Sequence, residues 1–447
     1  MSRPADEKAR TGRSLGIAAG LALLFALAQG AEGLQRAIAF LSGGEAIRAI
    51  DHLSFHYAAD AVFNRGLSPY AGTTAALYAA ELGERVFPFL YPPYALPLLY
   101  PLSWVDYQTG AALGILLNTA LAGGLYLVLH RMFLGGLGGR AALLAAFVFV
   151  VAFNAVEETI HLGQVNLPAA IAMLLAWHLL REGRAPWGAG LLIGVAILVK
   201  TYFALFLLPL LIQREFRPVL AAAAVVLALS ALSLAALPAG LWGEWAELAA
   251  ARGGFGRLAF PEFPQAAIWN QSVNGIAIRI FGPGAPAGLA ASGGAVLVLA
   301  ASAWRLWTSR AVPSRDFHDG SFVLMACVTF LVAPLSWNHH LVFLLGPLLC
   351  LWQRAEVIRH GRAAAIGFGA IALVMAAQWP LIHLYPLWPG ATSLPFAAVL
   401  LLWALCLTRS ALPWKSASRP VYVQGQSGDG AGASNLAPAP QRAGGLS

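Results

Sequence analysis

Charge is scarce in this sequence. Only 11% of its 447 residues are Asp, Glu, Lys or Arg, whereas soluble domains carry roughly 25%, so a water-soluble globular protein is excluded. Cysteine is nearly absent: Cys327, Cys350 and Cys406 lie far apart inside apolar runs, so no disulfide framework is implied. There is no Asp-x-Asp motif of the nucleotide-sugar type and no glycine-rich phosphate loop. No internal repeat is visible, which counts against an inverted-repeat transporter. The basic N-terminal lead, Arg3 to Arg13, is followed by an apolar run without a convincing small-residue cleavage site, so it predicts a retained first helix.

What is abundant is hydrocarbon. Hydrophobic residues make up 59% of the chain and the mean hydropathy is +0.69. A bilayer crossing takes about 20 mainly apolar residues. Such runs fall near 14–36, 94–105, 109–131, 141–156, 165–181, 187–200, 202–213, 217–238, 285–307, 320–335, 340–353, 363–379 and 392–408. The expected fold is an all-α polytopic membrane protein with about 12 transmembrane helices; a β-barrel would show short alternating segments instead. The net charge of +8 does not signal a nucleic-acid partner, because its basic residues sit in short loops at 181–184, 213–217, 310–315 and 354–362. That is the positive-inside pattern of a bacterial inner membrane. It places the polar stretches 37–91 and 239–284 outside. If 131–140 is cytoplasmic, 94–105 is not a full crossing and reads as re-entrant. The expected organisation is a basic cytoplasmic segment 1–13, a transmembrane catalytic domain 14–413, and a disordered cytoplasmic tail 414–447. The tail is rich in Ser, Gly, Ala and Pro and has too little apolar surface to offset its ordering entropy.

Polar islands punctuate the outer side. In order they are Asp51-x-x-x-Phe55-x-x-Ala58-Ala59, Gly66-x-x-Pro69-Tyr70, Tyr91-Pro92-Pro93 and Leu162-Gly163-Gln164-Val165-Asn166. Then come Lys200 closing an apolar run, Asn270-Gln271-Ser272-Val273-Asn274 with Arg279, and Pro334-Leu335-Ser336-Trp337-Asn338-His339-His340. Ionisable groups kept at such a boundary are usually functional. This series resembles glycosyltransferase family 87, the GT-C-type polyprenyl-phosphate-mannose-dependent mannosyltransferases, and the likeness runs from 51 to 340. Two departures stand out: Asn338 takes the place where the family tends to have Asp, and Thr201-Tyr202-Phe203 follows Lys200 where a proline is common.

The resemblance implies a GT-C-like fold whose outer loops form the active site. The implied partners are a polyprenyl-phosphate sugar donor, a glycolipid or glycan acceptor and membrane lipids; no cofactor is expected, no residue is assigned as a metal ligand, and a metal requirement is left open. It implies transfer of a hexose, mannose by the family, onto an acceptor outside the cytoplasm. Such a transfer needs a base for the acceptor hydroxyl and positive donors for the leaving phosphate. Asp51 is the candidate base; its plainer reading is an N-cap for a helix starting near Ser54. Asp60, deeper in that helix, reads as structural. Lys200 is a candidate point charge on the phosphate, or a snorkelling lysine at a helix end. His339 and His340 open an apolar helix, where an anion is favoured. His340 is assigned a catalytic role and His339 a substrate contact, against a plain interfacial role for both. Adjacent histidines cannot both point at one ion from a helix, which argues against zinc. Gln164, Asn166, Asn270, Gln271 and Tyr91 are candidate sugar contacts and Arg279 a candidate phosphate contact, with helix and loop capping as the alternative. The 14 Trp residues carry no carbohydrate signal, since most lie at helix ends where aromatic belts belong. Rival readings are a lipid or solute transporter, and an arabinofuranosyltransferase or glycopolymer ligase on a related scaffold.

Overall fold

The computed structural model describes residues 49–83, 85–134, 150, 153–353 and 389–408. The expected first helix at 14–36, the run at 363–379, most of 141–156 and the tail 414–447 lie outside these. Compact units divide at Ser416, and every described residue belongs to the first. Among the described residues all regular structure is helical, with no strand.

The polar stretch 37–91 carries α1 (Ile50–Phe63) and α2 (Gly72–Leu82). Next come α3 (Tyr107–Leu129), α4 (Asn154–Leu162), α5 (Asn166–Arg181), α6 (Pro186–Val199) and α7 (Phe216–Ala236). The polar stretch 239–284 forms α8 (Gly240–Arg252) and α9 (Val273–Phe281). It is followed by α10 (Ala285–Thr308), α11 (Ser314–Val332) and α12 (Leu394–Leu407). Three described helical segments are long and apolar enough to cross a bilayer: Tyr107–Leu134, Phe216–Ala236 and Ala285–Thr308. Shorter apolar helices run over Pro186–Val199, Thr201–Ile212, Asn338–Leu351 and Leu394–Leu407.

Segment 94–105 breaks into a 3-10 turn Pro93–Ala95, one α-turn Leu96–Leu99 and a second 3-10 turn Tyr100–Trp104. Pro93, Pro97 and Pro101 each remove a backbone donor. At about 1.5–2 Å of rise per residue this piece is well short of the roughly 30 Å hydrocarbon core. It does not form a continuous crossing.

The main core lies between α5, α6, α10, α11 and α12. Trp177 of α5 is its anchor. Its ring stacks on Phe322 with centroids 4.1 Å apart, and its indole donates to Asp319 Oδ1 at 2.8 Å. Arg181, one turn on, reaches the same carboxylate at 3.3 Å. Both contacts converge on Oδ1, in a place where an unpaired charge would be costly. Helix α6 packs on α7 through small residues, the usual way for apolar helices to approach closely in a membrane. A Cβ on Gly190 would fall 2.3 Å from the Pro218 carbonyl oxygen, and one on Gly194 would fall 2.8 Å from Val225 Cβ.

A Gly190→Val substitution therefore overpacks this crossing, at a typical cost of about 1–3 kcal/mol. Thermal unfolding of the solubilised protein should show a lowered Tm. Gly188→Ala, whose nearest contact is an ordinary 3.6 Å from Ala185 Cβ, should not lower it.

Candidate functional site

The chain breaks its helices where the polar islands lie, and several of these breaks turn a side chain toward one cavity. Helix α1 begins at Ile50 behind Ala49, which makes no side-chain cap bond, so Asp51 sits in the first turn. It is not the N-cap of a helix starting near Ser54, as its plainer reading required. Helix α4 ends at Gly163, whose φ of 67° is a left-handed turn suited to glycine. A Cβ there would also lie 2.6 Å from His52 Cβ on α1. This contact sets α4 against the first turn of α1 and brings Gln164 within reach of Asp51. Helix α6 ends at Lys200, whose extended backbone (φ −141°, ψ 106°) interrupts the apolar run before the 3-10 turn Thr201–Phe206. Trp337 precedes another 3-10 turn, Asn338–Leu344, which carries both histidines.

The cavity holds about 280 Å³. Its polar lining is Asp51, Gln164, Tyr91, Lys200, His339 and His340; the aromatic lining includes Phe87, Phe260 and Trp337. A hydrogen-bonded chain runs along the polar wall. Lys200 Nζ donates to Tyr91 Oη at 2.9 Å, and that hydroxyl donates to Gln164 Oε1 at 3.4 Å. Gln164 Nε2 then donates to Asp51 Oδ2 at 2.8 Å. Tyr91 is held in turn by its own carbonyl, which accepts from Tyr70 Oη at 2.9 Å, and by Phe55 and Phe89 at 5.2 and 5.6 Å. His340 Nδ1 accepts from the Trp337 backbone N–H at 3.2 Å, so a neutral ring carries its proton on Nε2.

Asp51 lies outside the long apolar helices, and burial raises its carboxyl to about 6, partly offset by the Gln164 bond and the charge of Lys200. Such a carboxylate is a stronger base than an exposed one and remains ionised near neutral pH. Glu158 on α4 is raised further, to about 8, by burial and then by Glu157 and Asp51. Its Oε2 is buried without a hydrogen-bond partner. Sequence reading passed over Glu158 as a site residue, because nothing in its spacing marks it as buried beside Asp51. Its neighbour Glu157 pairs with His161 at 2.8 Å.

The remaining candidates do not line this cavity. Asn270 Nδ2 donates to Pro334 O at 2.8 Å, and its Oδ1 accepts from Ser336 N at 3.0 Å. Gln271 Nε2 donates to Thr392 O at 2.6 Å. Arg279 Nη1 donates to Asn270 O at 2.8 Å and Ile268 O at 3.2 Å. These three side chains make the loop contacts that the capping alternative described, and Asn270 ties its segment to 334–336, just before Trp337. Asn166 is buried and its Nδ2 lies 3.4 Å from Thr159 Oγ1 and 3.5 Å from the His339 carbonyl. Asp60 is exposed to Asn64, Arg65 and Tyr78, which all bond it at the end of α1. Among the described residues no group of three or more His, Cys, Asp or Glu side chains gathers to hold a metal ion.

A Gln164→Leu change removes the bond that favours the ionised form of Asp51. Its ionisation should then move above about 6. The protonated-carboxyl stretch in infrared difference spectra, followed against pH, measures this. A midpoint that stays or falls contradicts the geometry.

Comparison with known proteins matches residues 89–334 to the model of glycosyltransferase family 87. One similar protein is the polyprenol-phosphate-mannose-dependent alpha-(1-2)-phosphatidylinositol pentamannoside mannosyltransferase of Mycobacterium tuberculosis (strain CDC 1551 / Oshkosh). It is 28% identical over 315 residues, which is 69% of this chain and 69% of that protein. The protein of the same description from Mycolicibacterium smegmatis is 28% identical over 314 residues, covering 69% of this chain and 72% of its own. A polyprenol-phosphate-mannose-dependent alpha-(1-2)-phosphatidylinositol mannoside mannosyltransferase of Mycobacterium tuberculosis (strain ATCC 25618 / H37Rv) is 25% identical over 327 residues, 69% of this chain and 71% of its own. No solved structure matches the chain.

Proposed function

The chain belongs to glycosyltransferase family 87, and from that premise we propose that it moves mannose from a polyprenyl phosphate onto a glycolipid or polysaccharide acceptor at the outer face of the inner membrane. The observation that carries this reading is the polar wall. Asp51, Tyr91, Gln164, Lys200 and His340 come from five separate stretches of sequence and meet in one cavity. The similar proteins named above are described as acting on polyprenol-phosphate-mannose and phosphatidylinositol mannosides.

In the proposed reaction the acceptor oxygen attacks the anomeric carbon while Asp51 takes its proton. The bond from that carbon to the phosphate oxygen breaks, and its electron pair leaves with the lipid phosphate. A single displacement of this kind inverts the anomeric carbon. Lys200 Nζ, fixed by Tyr91, and the Nε2–H of His340 supply positive charge and a donor where negative charge develops. His339 lines the same cavity as a further substrate contact. Gln164 orients the base, and Tyr91 and Gln164 also offer groups to sugar hydroxyls. Asn166, Asn270, Gln271 and Arg279 act one step back, through the segments that carry Gln164 and Trp337–His340. A donor whose lipid never leaves the bilayer suits a cavity beside apolar helices.

Transfer of radiolabel from polyprenyl-phosphate-[14C]mannose in membranes is the test. Asp51→Asn should lower transfer by about 10²–10⁴-fold, the usual worth of a general base, without lowering membrane abundance. Retained transfer in that variant would remove Asp51 from the reaction.

The pH dependence has a definite sign. Because the base must be ionised, kcat/KM should fall about tenfold per unit below about 6. Folding runs the other way. A carboxyl raised above its unfolded value contributes stability below about 4 that is lost as pH rises through about 6. At neutral pH the Asp51→Asn protein should therefore show a higher Tm than the parent, and an unchanged or lower Tm counts against a desolvated Asp51.

A further inference from the structure

One part of the cavity lining has side chains with no part in the chemistry described so far. It is aromatic and comes from three places in the chain. Phe87 lies 4.9 Å from Phe260 and 6.4 Å from Trp337 between ring centroids, and Phe260 lies 5.8 Å from Trp337. All three line the cavity. The rings meet nearly edge-on, at 70° to 89°, so they form a box corner rather than a stack closed upon itself.

Phe260 is carried by the segment that follows α8, which is clasped shut. Arg252 at the end of α8 holds Glu262 through two bonds, Nη1 to Oε2 at 2.9 Å and Nη2 to Oε1 at 2.6 Å. Gly256 in that segment packs so closely on Gly284 and Gly288 that a Cβ there would lie 2.4 Å from the Gly284 carbonyl oxygen. Both devices fix where the ring of Phe260 stands.

Three polar atoms on residues of the same cavity are buried with no hydrogen-bond partner: Trp337 Nε1, His339 Nδ1 and Tyr202 Oη. Buried polar groups in folded proteins are almost always satisfied, and leaving one without a partner is costly. A ligand bearing both hydroxyls and an apolar ring face would answer this wall. Hydrocarbon offers no partner to the orphaned atoms, and a phosphate offers nothing to the rings.

We propose that Trp337, with Phe87 and Phe260, forms a pyranose subsite, in which a sugar's C–H face lies against the aromatic corner and a sugar oxygen accepts from the indole N–H. The subsite rests on the glycosyl-transfer reading of the same cavity. The sugar belongs either to the donor or to the acceptor, and the two share this chemistry. Trp337 is a specificity-determining contact here and takes no proton.

The probe is methyl α-mannopyranoside, titrated by NMR against the full chain in lipid nanodiscs free of glycoside detergent. Trp337→Phe keeps an aromatic face and removes only the N–H. It should weaken binding about three- to tenfold, the worth of one hydrogen bond, and Trp337→Ala should weaken it further. Equal binding by the parent and Trp337→Phe, or no binding by the parent, overturns the proposal. In transfer assays the same variant should raise one KM selectively. A rise for the mannosyl acceptor assigns the ring to the acceptor, a rise for the polyprenyl-phosphate sugar assigns it to the donor, and no rise in either overturns the subsite. Asp51→Asn separates the two readings. If it still transfers mannose while Trp337→Phe loses the mannoside, the base assignment falls and the subsite stands.

Discussion

Everything at the polar wall depends on how a buried cation is kept near a buried carboxylate without pairing directly with it. Lys200 reaches Asp51 only through the Tyr91 hydroxyl and the Gln164 amide. A direct ion pair would stabilise the carboxylate and make it a poor base. With two neutral groups interposed, the lysine offsets part of the burial cost, yet the carboxyl stays raised to about 6. The same spacing leaves Nζ hydrogens available for an anion, since tyrosine uses only one of the three. Basicity at one end and phosphate affinity at the other thus follow from a single geometric choice.

That choice requires several backbone interruptions to coincide. Gly163 turns α4 so that Gln164 faces α1, and only a residue without a Cβ allows α4 to press on His52 there. Lys200 stands at an extended residue between two helical pieces. The stretch 334–336 before Trp337 is held by the Asn270 side chain and the Gln271 backbone N–H, while Arg279 binds the Asn270 carbonyl. In a membrane protein, backbone that leaves the helix must find partners within the protein or in a wet cavity. The islands therefore serve two purposes at once, satisfying broken backbone and lining the cavity that the breaks create.

The two kinds of residue are hard to separate before the fold is known. Asn270, Gln271 and Lys200 all read as polar groups at helix ends, and residue type alone gives each the same two roles. Their neighbours decide. Lys200 meets one tyrosine hydroxyl at an open cavity, whereas Asn270 is closed in by Pro334, Ser336 and Ser272. Glu158 illustrates the opposite failure. It stands in a short polar stretch with Glu157 and His161, and only the packing of α4 on α1 separates the paired Glu157 from the orphaned Glu158.

Composition and periodicity alone determined that this chain is helical and apolar and which islands interrupt it. Those properties are local: hydrocarbon content and proline positions act within a few residues of themselves. The ordered islands also pointed to the family, because their sequence along the chain survives without coordinates. Which island residues face the cavity was decided only by tertiary structure. Hydrogen-bond partners such as Gln164 and Asp51, 113 positions apart, are set by how helices pack, and a raised carboxyl arises from the water those helices displace. Neither quantity exists until the chain has folded.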